Sequence, residues 1–428
     1  MTKAFAPITA LLLSVALLLM GNGLQGTLLP VRANLEAFTD TDIGILGSSY
    51  FLGFAAGCLY GPYLIRRAGH IRAFAALVAI ASCVVLVHSL FLNAFLWWVL
   101  RAMTGFCFAA LYMIIESWLN EKSTNETRGF VFSLYTIINL TVITIGQLML
   151  GLDQPENFPL FLLASILVSL AAVPIAMTKA EAPAPVQSVR IRLKHLYKLS
   201  PVGVVGCLAV GLANGSFWAL APVFAQVKGA NSWGVALFMS IAVIAGALGQ
   251  WPLGRLSDKT DRRRVIVGAA CGSAIAGLLF VFWSPPWGQG AFALAFLFGL
   301  FAFPLYGLSV AHMNDYVEPN GYVEAASGLL LIFALGAVAG PLAASSLTRV
   351  FGPDALFAMT AGVQLCLAAF AVHRMRKRAP APEADHVAFT ESLTLAQTVS
   401  TVDPLADDIA TEEAVGDAKP PPESAPPL

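Results

Sequence analysis

The chain has 428 residues, of which 57% are hydrophobic and 12% charged, with a mean hydropathy of +0.75. A soluble domain carries about a quarter charged residues, so a soluble globular fold is excluded. The 25 basic and 25 acidic residues cancel, which leaves no overall charge to attract a nucleic acid and moves the information into where each sign sits.

Hydropathy divides the chain. A bilayer core about 30 Å thick takes roughly 20 apolar residues per helix, and twelve stretches meet that requirement: 8–30, 43–64, 71–92, 94–118, 128–151 and 158–178, then 201–225, 232–254, 264–284, 290–313, 326–348 and 355–373. The first follows a single lysine and lacks a small-residue cleavage site, so it is expected to be retained rather than removed as a signal peptide. The expected organisation is a six-helix bundle over 1–178, a cytoplasmic linker over 179–200 and a second six-helix bundle over 201–378. The linker carries Pro183, Pro185, Arg190, Arg192, Lys194 and Lys198. From 379 to 428 the sequence is rich in Pro, Ala, Asp and Glu, too poor in apolar residues to order itself, and a disordered acidic cytoplasmic tail is expected.

Basic residues orient the spans, since Lys and Arg concentrate in cytoplasmic connections. One side receives only Arg32, Lys228 and Arg349; the other receives Arg66, Arg67, Arg72, Lys122, Arg128, the linker cations, Arg255, Lys259, Arg262 to Arg264 and Arg374 to Arg378. Both termini are therefore expected in the cytoplasm of a bacterial cell, with the chain crossing the inner membrane an even number of times. Six cysteines, Cys58, Cys83, Cys107, Cys207, Cys271 and Cys366, lie singly in apolar stretches with no His at ligand spacing, so neither a disulfide framework nor a metal site is indicated.

The two halves repeat. Pro30-Val31 is matched by Pro222-Val223, and Leu111-Tyr112 followed by Asn120-Glu121 is matched at identical spacing by Leu305-Tyr306 followed by Asn314-Asp315. Repeated halves with a substrate site near the midplane are the build of many transporters. Gly254-Arg255-Leu256-Ser257-Asp258-Lys259 with Arg262 and Arg263 resembles the major facilitator signature for the connection between helices eight and nine. Its first-half counterpart, Gly61 to Arg72, has Ile65 where the signature has Asp. Arg101 with Gly105 is similar to a pattern many members carry in helix four. Together with Glu116-Ser117-Trp118-Leu119-Asn120-Glu121, Asn314-Asp315-Tyr316 and Ser327-Gly328 leading to Gly336, Gly340 and Pro341, these residues resemble the YcaD-like branch of the major facilitator superfamily. The resemblance covers nearly the whole chain except the tail. It implies an all-α fold of twelve transmembrane helices in two pseudo-symmetric six-helix bundles and leaves the cargo open.

An ionisable residue inside a span is costly and functional by default, and Arg101 and Glu116 qualify. Glu116 lies roughly 22 Å along the helix from Arg101, so the two cannot pair. Glu116 is the candidate proton-coupling residue, with pairing to a loop Arg or to Ser and Asn neighbours as the structural alternative. Arg101 either binds an anionic group or snorkels to the external interface. Neutral polar side chains complete the expected substrate pocket: Asn22, Gln25, Arg101, Tyr112, Asn139, Asn214, Trp218 and Tyr306, with Gln147 and Gln250 nearby. Cross-helix structural hydrogen bonding is the alternative for each amide. Gly254, Asp258, Lys259, Arg262 and Arg263 are the candidate gate, with loop anchoring as the alternative for any one Arg. His88, His312, Trp97, Trp98, Trp283 and Trp287 lie near span ends and are read as interfacial.

The expected activity is secondary transport of a small organic solute by alternating access, with protons as the candidate coupling ion. The alternative is a receptor or scaffold with the same fold that moves nothing. No nucleophile-base set, nucleotide loop or metal-ligand cluster points to an enzyme or a cofactor. The expected partners are a small-molecule substrate, protons and the lipid bilayer, without nucleic acid, and the chain is expected to be a monomer.

Overall fold

The computed structural model describes residues 2–123, 127–177, 192–283, 287–318, 321–380 and 386–392, apart from the side chains of residues 2–8 and 128. Twelve helices among them are long and apolar enough to cross a membrane: α1 Thr9–Leu35, α2 Asp40–Ala68, α3 His70–Leu90, α4 Ala94–Lys122, α5 Gly129–Leu152, α6 Pro159–Ala176, α7 Pro201–Val227, α8 Ser232–Lys259, α9 Arg262–Phe282, α10 Gln289–Asn314, α11 Tyr322–Phe351 and α12 Ala355–Lys377. They coincide with the twelve expected spans. Several are longer because polar residues continue the backbone ladder past the apolar stretch.

Side-chain caps fix many starts. Thr39 and Asp42 form a reciprocal box at α2, with Asp42 N–H donating to Thr39 Oγ1 at 3.1 Å and Thr39 N–H to Asp42 Oδ2 at 3.0 Å. Asn231 accepts from Gly234 N–H at 2.8 Å at the matching place on α8. In α10 the helix is interrupted at Phe303 because Pro304 has no N–H to give, leaving two segments, Gln289–Ala302 and Pro304–Asn314.

Lipid tails are as apolar as Leu, so helices associate through close packing at small residues. In each half the first helix packs on the fifth, the second on the fourth and the third on the sixth. A Cβ added to Gly105 of α4 would stand 2.0 Å from the Tyr50 carbonyl oxygen of α2, and one on Gly53 would stand 1.9 Å from the Ala102 oxygen. The equivalent α8–α10 pair repeats the device, with Gly299 against the Ala242 oxygen at 2.1 Å. Ser82 of α3 adds polar contacts to α6, 2.9 Å from Ser165 Oγ and 2.5 Å from Ser169 Oγ.

The halves meet at the end opposite the start of α1 and the end of α12, here the far end. Gly44 and Gly47 of α2 seat on Ser345 and Pro341 of α11 and on Ala219 of α7. Ser48 Oγ donates to Val338 O at 2.7 Å, Asn34 Nδ2 to Gln226 Oε1 at 2.9 Å, and the Trp233 ring covers Gly151.

Most of the expected linker, residues 179–191, lies outside the described residues. Its last part forms a short helix, Leu193–Leu199, tied to α11 where Arg192 Nη2 and Nε donate to Glu324 at 2.8 and 3.1 Å. Residues 381–385 and 393–428 of the expected disordered tail also lie outside the described residues. Residues 386–392 pack against the end of the second half, with Phe389 only 3% exposed among Val265, Ile266, Leu305 and Leu308. One aromatic ring supplies apolar area that the average composition of the tail hides.

Replacing Gly105 with Val forces a side chain into a backbone carbonyl. G105V is expected to lower stability by about 1–3 kcal/mol or more, read as a lower thermal midpoint and a smaller monodisperse fraction in detergent.

Candidate functional site

A cavity of about 210 Å³ lies between the halves, walled by α1, α2, α4, α5 and α7. Arg101 enters from α4, Tyr50 and Phe51 from α2, Asn22 and Thr27 from α1, Gln147 from α5 and Trp218 from α7. The Arg101 guanidinium carbon stands 4.3 Å from the centre of the Tyr50 ring, a cation–π contact. Tyr50 is in turn hydrogen-bonded by Asn22. Arg101 Nη1 is buried without a hydrogen-bond partner, and among the described residues no carboxylate pairs with this guanidinium. Trp218 stacks on Phe303, 5.6 Å between centroids and 7° between planes, at the interruption of α10.

Of the eight expected pocket residues, Asn22, Arg101 and Trp218 line this wall; Gln25, Tyr112, Asn139, Asn214 and Tyr306 do not. Gln25 and Asn214 are buried within the helix packing, 1% and 6% exposed. Tyr306 packs edge-on against Phe333. Tyr50 and Phe51 were missing from the expectation. The Gly53, Gly57 and Gly61 repeat on α2 is the signal that could have found them: it marks the face that packs on α4, and Tyr50 lies on the flank of that face, next to Arg101.

Asn139 belongs to a second group. Tyr135 of α5 donates to Glu116 Oε1 at 3.5 Å, and Asn139 hydrogen-bonds Tyr135. Glu116 is 8% exposed, and Tyr112 reaches toward the same region with Phe54 and Phe108 as ring neighbours at 6.3 and 6.5 Å. Glu116 and Arg101 therefore belong to separate side-chain groups on one helix.

His88 and Trp97, expected at the interface, are both fully enclosed. His88 Nδ1 lies 2.7 Å from Val84 O, its ring is edge-on to Trp97, and Trp97 Nε1 donates to Phe91 O at 2.7 Å. His312 is also buried, edge-on to Tyr316. Position along a span gives depth in the bilayer and says nothing about which way a ring faces. Trp283, by contrast, is 61% exposed.

The candidate gate forms a connected cluster at the terminus-bearing end of the second half. Arg262, 1% exposed, donates Nε to Asp315 Oδ2 at 2.7 Å and Nη1 to Ser257 Oγ at 2.9 Å and Asp258 Oδ1 at 3.0 Å, while Nη2 reaches Val387 O. Arg263 holds Asp261 through Nη2 to Oδ2 at 2.8 Å and donates Nη1 to Arg378 O. Burial pushes the Asp261 carboxyl up, but the hydrogen bonds from Arg263 outweigh it and hold the group below the usual carboxylate range. Burial raises Asp315 despite its bond to Arg262. Lys259 is exposed, and Gly254 makes room for the Phe389 ring. In the first half Ile65, at the position matching Asp258, packs in the apolar cluster that includes Ile114 and Trp118.

The sequence matches the profile of the Major Facilitator Superfamily over residues 11–330 and 235–402. It is 29% identical over 365 residues, 83% of this chain and 93% of the relative, to an uncharacterized MFS-type transporter, YcaD, of Escherichia coli (strain K12 / DH10B). Among solved structures the fold is similar to that of the nucleoside transporter NupG, with a TM-score of 0.72 and 14% identity, covering 88% of this chain and 100% of that one. A bacterial homologue of the human lysosomal transporter Spinster, in an inward-facing and occupied conformation, gives 0.69 and 15%, covering 89% and 97%. At these identities the structural likeness concerns the fold alone.

Removing the Arg262 side chain leaves Asp315 buried and unpaired. R262A is expected to destabilise by about 3–5 kcal/mol, whereas K259A, at an exposed position, stays within about 0.5 kcal/mol; thermal unfolding of the two variants in one detergent separates them.

Proposed function

Because the chain belongs to the Major Facilitator Superfamily, we propose that it is a secondary transporter that moves a small organic solute across the bacterial inner membrane by alternating access. The observation that carries this reading is a cavity walled by helices of both halves, beneath contacts that join the halves at the far end: Asn34 with Gln226, Ser48 with Val338 and Gly151 with Trp233. The terminus-bearing end carries the excess of Lys and Arg, which supports its assignment as cytoplasmic. In this reading the far end is external, and the arrangement is one stage of a rocking cycle in which the far-end contacts break as the cytoplasmic ends close. The protein works as a monomer, since each chain supplies both halves.

Protons couple through Glu116. The support is a carboxylate enclosed in a span and hydrogen-bonded by Tyr135, on the same helix as the cavity cation but well removed from it. Its load of one proton would alter the cost of moving α4 and α5 past one another.

Spin-label pairs on A37C/R349C at the far end and K122C/E318C at the other, in a background with the native cysteines changed to Ser and in lipid nanodiscs, test the reading together. Each pair is expected to show two distances whose populations change in opposite senses between the two ends and with pH, and E116Q removes the pH response. One fixed distance at both ends would replace transport with a static scaffold; an unaltered pH response in E116Q would remove the proton role alone.

A further inference from the structure

We propose that the Arg101 cavity takes a small organic monoanion, its carboxylate on the guanidinium and its apolar body between Tyr50, Phe51 and Trp218. This rests on the transporter reading and names its substrate class. An arginine inside a span costs several kcal/mol unless it is paired. The Tyr50 face at 4.3 Å compensates part of that cost, but Nη1 remains without an acceptor. The other residues of the wall are neutral: Asn22, Thr27 and Gln147 offer hydroxyl and amide groups, and the remaining positions are glycine, aliphatic or aromatic. The wall therefore carries one positive charge. One carboxylate satisfies it through the planar donor fork; a dianion would leave a second charge unmatched, and a neutral solute would leave the first.

The volume sets the size of the body. About 210 Å³ is below the range of roughly 300–1,000 Å³ typical of drug-sized sites. That fits a single-ring or short-chain acid. Three aromatic walls and few polar groups favour a body without hydroxyls.

The test is calorimetric binding to the full-length protein in detergent, using benzoate, phenylacetate and hexanoate, the corresponding amides, and phthalate as a dianion. At least one monocarboxylate is expected to bind in preference to its amide and to phthalate. R101Q should weaken it on the order of thirtyfold, and R101K, which keeps the charge but loses the planar fork, about tenfold or less. Equal binding of acid and amide, no binding by any of the acids, or an unchanged affinity in both variants overturns the proposal. Binding needs no movement of the halves, so its failure is distinguishable from failure of the spin-label experiment.

A separate observation concerns the tail. The geometry points to residues 386–392 as a strap that holds the terminus-bearing end of the second half in the arrangement described here. Val387 N–H donates to Asp315 Oδ1 at 3.1 Å and Phe389 N–H to Asp258 Oδ1 at 2.9 Å, while Val387 O accepts from Arg262. The Phe389 ring fills the space over Gly254. The strap thus joins the α8–α9 turn to the end of α10 as one block and draws on the hydrogen-bonding capacity of Asp258 and Arg262. It also adds bulk to an end that must approach the first half for the cycle to turn over. F389A, which empties the slot, and V387P, which removes one donor and keeps the ring, are examined with the K122C/E318C label pair; E391Q, which leaves the ring and both donors in place, serves as control. Both strap variants are expected to raise the population of the shorter distance about threefold relative to wild type and to E391Q. Distance distributions unchanged in F389A and V387P overturn the assignment.

Discussion

Hydrocarbon offers no partner to an N–H, a carbonyl or a charge, and no hydrophobic gain when one helix touches another. The backbone must therefore close its own hydrogen bonds, and helices must hold together by approaching until their backbones touch. Glycine is where this happens, and the α2–α4 seam shows what it does for the site. Gly105 rests against the Tyr50 carbonyl, one turn along α4 from Arg101. The contact that fastens the two helices is the one that brings the Tyr50 ring over the guanidinium. Packing and the shape of the cavity wall are thus set by the same few atoms.

The two halves differ in where their charged groups lie. α4 of the first half carries a cation, Arg101, and a carboxylate, Glu116, in separate environments. The second half carries a buried ionic cluster around Arg262, in which Asp315, just past the end of α10, matches Glu121 in the last turn of α4. Ile65 marks the divergence: in the position corresponding to Asp258 it contributes apolar area to the first-half core.

The twelve spans were legible because hydropathy integrates over some twenty residues, and single exceptions do not shift the result. The pocket was less legible because it depends on facing. Asn22 and Gln25 are three positions apart on α1, yet one lines the cavity and the other is buried behind it. His88 and Trp97 sit at the depth of an interface but turn toward each other inside the bundle. Tyr50 and Phe51 read as ordinary apolar residues until α4 is placed against them. Phe389 was hidden by averaging, since one aromatic in a Pro-rich and acidic tail does not alter the composition that predicts disorder. Arg101, Trp218 and the Asp258–Arg262 pair were legible because a charge, a large amphipathic ring or a compact basic turn is conspicuous against an apolar background.

The interruption at Phe303 gives α10 a joint. On one side, Gln289–Ala302 is locked to α8 through Gly299; on the other, Pro304–Asn314 runs to Asp315. Trp218 lies flat against Phe303 at the joint itself and lines the cavity wall. The second segment is a lever arm of roughly 16 Å, from eleven residues at 1.5 Å each. A tilt of about 5° at its pivot would displace the far tip by roughly 1.4 Å, comparable with the margin between the 2.7 Å Arg262–Asp315 hydrogen bond and no bond at all. The indole in the cavity wall and the ion pair at the membrane edge thus lie at opposite ends of one eleven-residue segment.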